Sequence, residues 1–169
     1  MNEKLKRIVT ASLFAALVCV ATLVIQIPSP LGGYINLGDA LIILASVFSS
    51  PIYAFFAAAI GSALADVFLG YMIYAPATFI IKGAMALIVS LIVRAGFKNK
   101  YLATLFSASV GECVMILGYY VFEGFLYGFA ASLVNIVPNG VQAAAGVVLG
   151  TLIATIFEKN KTLSKFFKI

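Results

Sequence analysis

The stretch from Leu64 to Gly83 reads LADVFLGYMIYAPATFIIKG and places two charges in otherwise apolar sequence. Asp66 lies near the end of one apolar run, and Lys82 lies inside the next. The runs are long, nearly uncharged and rich in Ala, Ile, Leu, Val and Phe. Such runs are typical of membrane-spanning helices, because the strands of a membrane barrel are short and alternate in polarity. Ionisable residues in a bilayer are costly unless paired or hydrated, and they often mark a site.

The composition of the whole chain supports this interpretation. Of its 169 residues, 63% are hydrophobic and 10% are charged, against about 45–50% and about 25% in soluble domains. We therefore expect an all-α integral membrane protein. Histidine is absent and the two cysteines lie inside apolar runs, so neither a metal-ligand set nor a histidine-assisted nucleophile is expected. No catalytic residue and no cofactor is predicted, and the chain is not expected to be an enzyme.

Six apolar segments follow one another along the chain, and they predict a single membrane domain over residues 1–169. The second segment has only about 12 residues, about 18 Å as a helix, which is short for a bilayer core of about 30 Å. Residues 39–70 could instead form one kinked helix. The six segments are about 8–27, 39–50, 51–70, 75–95, 101–123 and 133–157.

The positive charges decide between five and six helices. Apart from Lys82, the 11 Lys and Arg residues fall into three clusters. The positive-inside rule favours the cytoplasmic side for all three, and only six helices allow this, with both termini cytoplasmic. Pro51 then opens the third helix after a tight turn. The clusters are Lys4, Lys6 and Arg7; Arg94, Lys98 and Lys100; and Lys159, Lys161, Lys165 and Lys168.

The remaining polar residues are predicted to lie in the outer half of the membrane. At 1.5 Å per residue, Asp66 is about 6 Å and Lys82 about 10 Å below the outer end of its helix, and Asn139 and Gln142 are about 9 and 13 Å deep. Glu112 is expected near the midplane. Since the inner half has few such residues, a pocket open only to the outside is favoured over a continuous channel.

Each of these residues also has a purely structural interpretation. Lys82 could pair with Asp66 or Glu112 and lock the bundle. Asn139 and Gln142 share a helix face at i, i+3 and could face a ligand or bond to another helix. Asp39 follows a glycine before an apolar run, which favours an N-cap over a ligand contact.

Several motifs, in this order, resemble a known family. They are Ala11-xxx-Ala15 in the first segment, YINLGDALI at 34–42, GSALADVFLGY at 61–71, YAPATFIIKG at 74–83 and PNGVQ at 138–142. Over nearly the whole chain the layout resembles the substrate-binding S component of an energy-coupling factor (ECF) transporter, a bacterial vitamin importer.

The resemblance implies a six-helix protein that captures a vitamin or vitamin precursor outside the cell, beneath a lid formed by the 28–38 connection. It implies docking through Ala11 and Ala15 to a transmembrane coupling subunit, which works with two ATPase subunits in the bacterial plasma membrane. The candidate substrate-binding residues are Asn36, Asp39, Asp66, Tyr74, Lys82, Glu112, Tyr119, Asn139 and Gln142.

The composition of the predicted pocket narrows the choice of ligand. The chain has no tryptophan, so stacking would fall to tyrosine and phenylalanine. One lysine and two carboxylates suit a small polar heterocycle or a short acid better than a bulky pterin, and the motif wording favours a pyridoxine- or hydroxymethylpyrimidine-type ligand. Pantothenate stays an alternative ligand because Lys82 could pair with its carboxylate. Another B vitamin is also an alternative. A self-sufficient secondary transporter is the alternative from a different class.

Overall fold

The computed structural model describes residues 2–167, so Lys168 of the third basic cluster lies outside the described residues. The described chain is helical apart from one short antiparallel ribbon, in which Ile27 pairs with Ile35 and Pro28 with Tyr34. The elements are α1 (Glu3–Val24), β1 (Ile27–Pro28), β2 (Tyr34–Ile35), α2 (Gly38–Phe48), α3 (Pro51–Phe68), α4 (Ala75–Val93), α5 (Lys100–Tyr127), α6 (Phe129–Ser132), a 3-10 turn (Leu133–Asn135), α7 (Ile136–Lys159) and α8 (Lys161–Phe167).

Local signals in the sequence explain several helix ends. Pro51 occupies the first turn of α3, where its missing N–H leaves no bond unmade. The side chain of Asn99 accepts a hydrogen bond from the Leu102 backbone N–H at 3.2 Å and caps α5. Helix α5 continues to Tyr127, beyond the predicted end at 123, and stops at Gly128 with a φ of 93°. Residues 124–132, which lie between the fifth and sixth predicted segments, are therefore mostly helical.

Helix α2 lies at the centre of the bundle and contacts α1, α3, α4 and α7. It has 11 residues, about 17 Å of helix, and nearly every side chain on it is buried. Ile42 and Ile43 are fully buried and pack with Met85 of α4 and Met115 of α5. Because its neighbours shield α2 from lipid, it does not need the length of a lipid-exposed span.

Arg94 holds the C-terminal end of α2. Its guanidinium donates to the backbone carbonyl of Ser46 at 3.0 Å and to that of Ser49 at 2.6 Å. These are carbonyls at the end of the helix, which have no partner within the helix itself, and a cation there also complements the helix dipole. A residue of the α4–α5 connection thus fixes the position of α2 relative to α4.

Within residues 2–167, five helical stretches are long and apolar enough to cross a membrane: α1, α3, α4, α5 and the continuous stretch Phe129–Lys159. Helix α2 is shorter than a span. Many large apolar side chains on the outside of the bundle are exposed, Phe68, Ile80 and Phe125 among them. This surface suits a lipid environment, in which an apolar exterior is the expected one.

The basic clusters and the other polar residues lie at opposite ends of the bundle. Successive helices run in opposite directions, so the ends of α1, α3 and α5 meet the beginnings of α2, α4 and α7. The described members of the three basic clusters lie at the other end, where α1 and α5 begin and α4 and α7 finish. One end is therefore basic, and the other gathers the polar residues singled out in the sequence.

Candidate functional site

A polar cavity lies at the non-basic end of the bundle, beneath residues 25–37, which we call the hairpin segment because they contain β1 and β2. The cavity has a volume of about 30 Å³, which is room for about two water molecules. A vitamin therefore does not fit while the hairpin segment holds this position. The lining residues are Thr22, Ser29, Gly32, Gly33, Tyr34, Asn36, Ser62, Asp66, Tyr74, Thr78, Lys82, Tyr119, Glu123, Asn139 and Gln142.

A buried ion pair forms the floor of this cavity. Lys82 Nζ of α4 lies 2.5 Å from Asp39 Oδ1 of α2, and the two side chains are 2% and 1% exposed. Gln142 Nε2 of α7 donates to the second oxygen of the Asp39 carboxylate at 2.6 Å. Three helices are thereby joined through one carboxylate, in a setting where an unpaired charge would be strongly destabilising.

This arrangement corrects two sequence-based expectations. Asp39 is not the N-cap of α2, because the helix begins at Gly38 and both oxygens of the Asp39 carboxylate are turned to other helices. Lys82 pairs with Asp39, and not with Asp66 or Glu112. At the start of α2 the Gly38 backbone N–H instead donates a hydrogen bond to the side-chain oxygen of Asn36 at 2.9 Å.

The hairpin segment is tied to the floor through Asn36 and Gln142. The Asn36 backbone N–H donates to Gln142 Oε1 at 2.9 Å. A Cβ atom at Gly38 would lie 2.2 Å from the hydroxyl oxygen of Thr22, so only glycine lets α2 start this close to α1. The side chain of Gln142 therefore links the hairpin segment above to the ion pair below.

Two tyrosines hold the hairpin segment over the cavity. The Tyr34 hydroxyl donates to Asp66 Oδ1 of α3 at 2.6 Å. Burial, together with the nearby Asp66 carboxylate, raises the pKa of Tyr34 above its ordinary value, so this hydroxyl remains a donor. Gly33, at φ 74°, lies against the Tyr74 ring, where an added Cβ atom would be 3.4 Å from a ring carbon.

Aromatic and hydroxyl groups complete the walls. Thr78 and Tyr119 share a hydrogen bond of 2.9 Å between their hydroxyl oxygens. Lys82 Nζ lies 5.6 Å from the centroid of the Tyr119 ring, within the range of a cation–π contact. The walls thus offer aromatic faces, hydroxyl groups and one paired ammonium group.

Sequence reasoning missed a second polar group at the mouth of the cavity. Asn135 donates to Glu123 Oε1 at 2.8 Å, and the Tyr74 hydroxyl donates to the same oxygen at 3.4 Å. Glu123 is the last residue of the fifth predicted segment, and its charge at the end of an apolar run was a usable signal. Asn135 lies in a connection whose fold the sequence does not reveal, and Thr78 is too ordinary in a helix to stand out.

Glu112 lies below the cavity and does not line it. Its side chain is 2% exposed, and neither carboxylate oxygen has a hydrogen-bond partner among the described residues. A Cβ atom added to Gly146 would be 2.2 Å from Glu112 Oε1 and 3.0 Å from Asp39 Cβ. Glu112 therefore lies directly against α7 and beside the base of the ion pair.

The structure brings most of the predicted substrate-binding residues into one place. Asn36, Asp66, Tyr74, Lys82, Tyr119, Asn139 and Gln142 line the cavity, and Asp39 and Glu112 lie beneath it. Within residues 2–167, no three Cys, Asp or Glu side chains come close enough to hold a metal ion together.

An apolar groove of about 650 Å³ runs between α1 and α3 on the outside of the bundle. Ala11 and Ala15 both line it, together with Ala57 of α3. The helices approach closely here, since a Cβ atom at Gly61 would be 2.5 Å from the Ala15 carbonyl oxygen. The small-residue face therefore packs α1 on α3 and leaves an open groove beside the contact.

Comparison with known proteins places these features in context. The family model described as "ECF-type riboflavin transporter, S component" matches residues 2–159. A protein of Pyrococcus woesei, described as an uncharacterized protein in the gap 3' region, is 37% identical over 144 residues, which cover 85% of this chain and 95% of that protein.

Two solved structures share the fold over 99% of this chain and 100% of theirs. ThiT from Listeria monocytogenes has a TM-score of 0.73 at 19% identity. The S component for biotin from an ECF-type ABC transporter has a TM-score of 0.59 at 16% identity. At these identities the likeness concerns the fold alone.

Proposed function

We propose that this chain, which belongs to the ECF-type riboflavin transporter S component family, binds a pyridoxine- or hydroxymethylpyrimidine-type ligand in the cavity beneath the hairpin segment. The family is one of transporter components and not of enzymes, and its S components bind a vitamin and work with the membrane and ATPase subunits of an ECF module. The observation that carries the proposal is the polar cavity at the non-basic end of the bundle, closed at its base by the Asp39–Lys82 pair.

The chemistry of the walls supports a small, neutral or cationic heterocycle. Tyr74 and Tyr119 present aromatic surfaces, and Asn139 and Gln142 present amide groups from one face of α7. Lys82 is the one cation among the described lining residues, and Asp39 already neutralises it at 2.5 Å. A carboxylate ligand such as pantothenate would have to displace Asp39 from Lys82, which weighs against that alternative.

Riboflavin is the second candidate, and the family description favours it. Its three-ring system is larger than a pyridine or pyrimidine, so it would require a wider opening of the hairpin segment. Both candidates predict the same order of events. The hairpin segment opens, the ligand enters between Tyr74 and Tyr119, and closure restores the contacts from Tyr34 to Asp66 and from Asn36 to Gln142.

The topology and partners belong to the same proposal. Six membrane segments, with α2 shielded by its neighbours, put both termini and the basic clusters in the cytoplasm and open the cavity to the outside of the cell membrane. Ala11 and Ala15 would then meet the coupling subunit, which acts with two ATPase subunits. A groove with small residues at its base suits a helix of another membrane protein.

Binding and transport measurements test this proposal. Equilibrium dialysis of the purified chain against pyridoxine, the hydroxymethylpyrimidine, riboflavin and pantothenate should give submicromolar binding of one of the first three. Liposomes containing this chain alone should not accumulate that ligand, and liposomes that also contain an ECF module and ATP should do so. Ion- or voltage-driven uptake by the chain alone would establish the autonomous transporter instead.

A further inference from the structure

The acceptors left unsatisfied at the cavity are all oxygens of acidic or amide side chains. Asp66 Oδ2 and Glu123 Oε2 make no hydrogen bond of normal geometry among the described residues, and neither does Asn135 Oδ1 beside Glu123. Asp66 and Glu123 both line the cavity, and both are at most 4% exposed. Buried acceptors without donors are rare in folded proteins and call for an explanation.

Several of the donors at the cavity are already used. The Lys82 ammonium group and the Gln142 amide N–H both serve Asp39. Tyr34 donates to the other oxygen of Asp66, and Asn135 donates to the other oxygen of Glu123. Tyr74 adds a second, longer hydrogen bond to that same oxygen of Glu123. The protein therefore supplies donors to one oxygen of each carboxylate and leaves the second oxygen of each without a hydrogen bond of normal geometry.

The charge at the mouth has the same sign on two sides. Asp66 comes from α3 and Glu123 from α5, and within residues 2–167 neither forms an ion pair. The one lining cation, Lys82, is paired with Asp39 below. An anionic group entering between these carboxylates would be repelled, whereas an N–H or O–H group would satisfy them.

We propose that the ligand presents hydrogen-bond donors to Asp66 and Glu123, so that this cavity accepts neutral or cationic heterocycles with amino or hydroxyl groups and rejects vitamins that carry a carboxylate. This inference rests on the proposed function and narrows its substrate class. Pyridoxine, the aminopyrimidine and riboflavin all carry such donors, and biotin and pantothenate each carry a carboxylate. Substrate choice is then set at the mouth, while the ion pair sets the depth of the cavity.

Matched ligands test the inference on the unaltered protein. Pyridoxine is compared with 4-pyridoxic acid, and 4-amino-5-hydroxymethyl-2-methylpyrimidine with its 5-carboxylate, by equilibrium dialysis at neutral pH. For whichever ring binds, the acid should bind at least about tenfold more weakly, as expected for like charges in a partly buried site. Riboflavin and its 5'-phosphate form the corresponding pair for the second candidate. An acid that binds as tightly as its neutral partner overturns the inference.

Two amide variants then identify the residues responsible. Asp66→Asn and Glu123→Gln keep the shape of each side chain and remove its charge, so the preference for the neutral ligand should fall several-fold. Glu158→Gln makes the same change at the far end of α7 and should leave the preference intact. If water alone satisfies the open oxygens, all variants keep the same preference and the assignment to Asp66 and Glu123 is wrong.

The two proposals fail in different ways. Tight binding of a carboxylate vitamin overturns the donor requirement and leaves the role in vitamin capture standing. Absence of binding for every compound in the set, with a correctly folded protein, overturns vitamin capture and the donor requirement together.

Discussion

Replacing Lys82 with methionine should strongly destabilise the protein. The ammonium group lies 2.5 Å from Asp39 Oδ1, and both side chains are almost completely buried. Methionine fills the same volume but leaves the Asp39 carboxylate with Gln142 as its remaining polar contact from another helix. Removing one member of a buried pair typically costs about 3–5 kcal/mol, because the other charge stays buried without compensation. We expect a loss of that size in the free energy of unfolding, measured by denaturant titration in mixed micelles.

The double variant separates the charge from the packing. Asp39→Asn combined with Lys82→Met removes both charges, and it should recover at least about half of the loss, since a neutral pair of similar volume is often tolerated. Lys98→Met, in the exposed connection before α5, serves as the control and should change stability by less than about 0.5 kcal/mol. The reasoning is refuted if Lys82→Met destabilises the protein no more than this control does. It is also refuted if the double variant is no more stable than Lys82→Met alone.

The same double variant distinguishes bracing from ligand contact. If Lys82 only braces the bundle, ligand affinity should return together with stability. If Lys82 also contacts the ligand, affinity should stay reduced in the stable double variant. Measuring the dissociation constant and the unfolding free energy on the same preparations resolves the two roles.

Three further changes test other parts of the structure. Gly146→Ala forces a methyl group against Glu112 Oε1. It should lower both the midpoint of denaturant unfolding and the affinity for the ligand. An unchanged midpoint would show that α7 is free to move away. Arg94→Ala removes the cap of α2 and should cost about 1–3 kcal/mol by denaturant titration, with Arg94→Lys recovering only part because it lacks the planar fork. Ala15→Trp should abolish uptake with an ECF module while ligand binding in detergent persists, and normal uptake would exclude the groove as the docking face.

The general layout of the protein could be predicted from hydropathy and charge. Apolar runs indicate where helices lie, and Pro51 marks the start of α3 because proline suits a first turn. The brevity of the second segment was also visible, although the reason for it was not. Its neighbours bury α2 almost completely, and this is a property of packing that no local window of sequence contains. The number of membrane crossings and the side of the termini remain predictions.

The partners of the charged residues could not be derived from depth alone. Asp66 and Lys82 have similar predicted depths on successive helices, which allows Lys82 to pair with Asp66, as it could with Glu112. Depth along a helix leaves its rotation undetermined, and in the structure Lys82 is turned toward Asp39 on α2. Asp39 resembled a cap because a glycine precedes an apolar run, a local signal that a buried ion pair overrode. Glu123 accepts a hydrogen bond at the cavity from Asn135, which lies 12 residues away along the chain.

The central claim is that this chain holds one small vitamin molecule beneath its hairpin segment. The most direct test is to purify the protein in mild detergent, denature it and identify the released small molecules by mass spectrometry. The account predicts a neutral or cationic B vitamin or precursor at close to one molecule per chain, lost in the destabilised Lys82→Met variant. A folded protein that releases no such molecule, and takes up none after incubation with a panel of vitamins, would contradict the account.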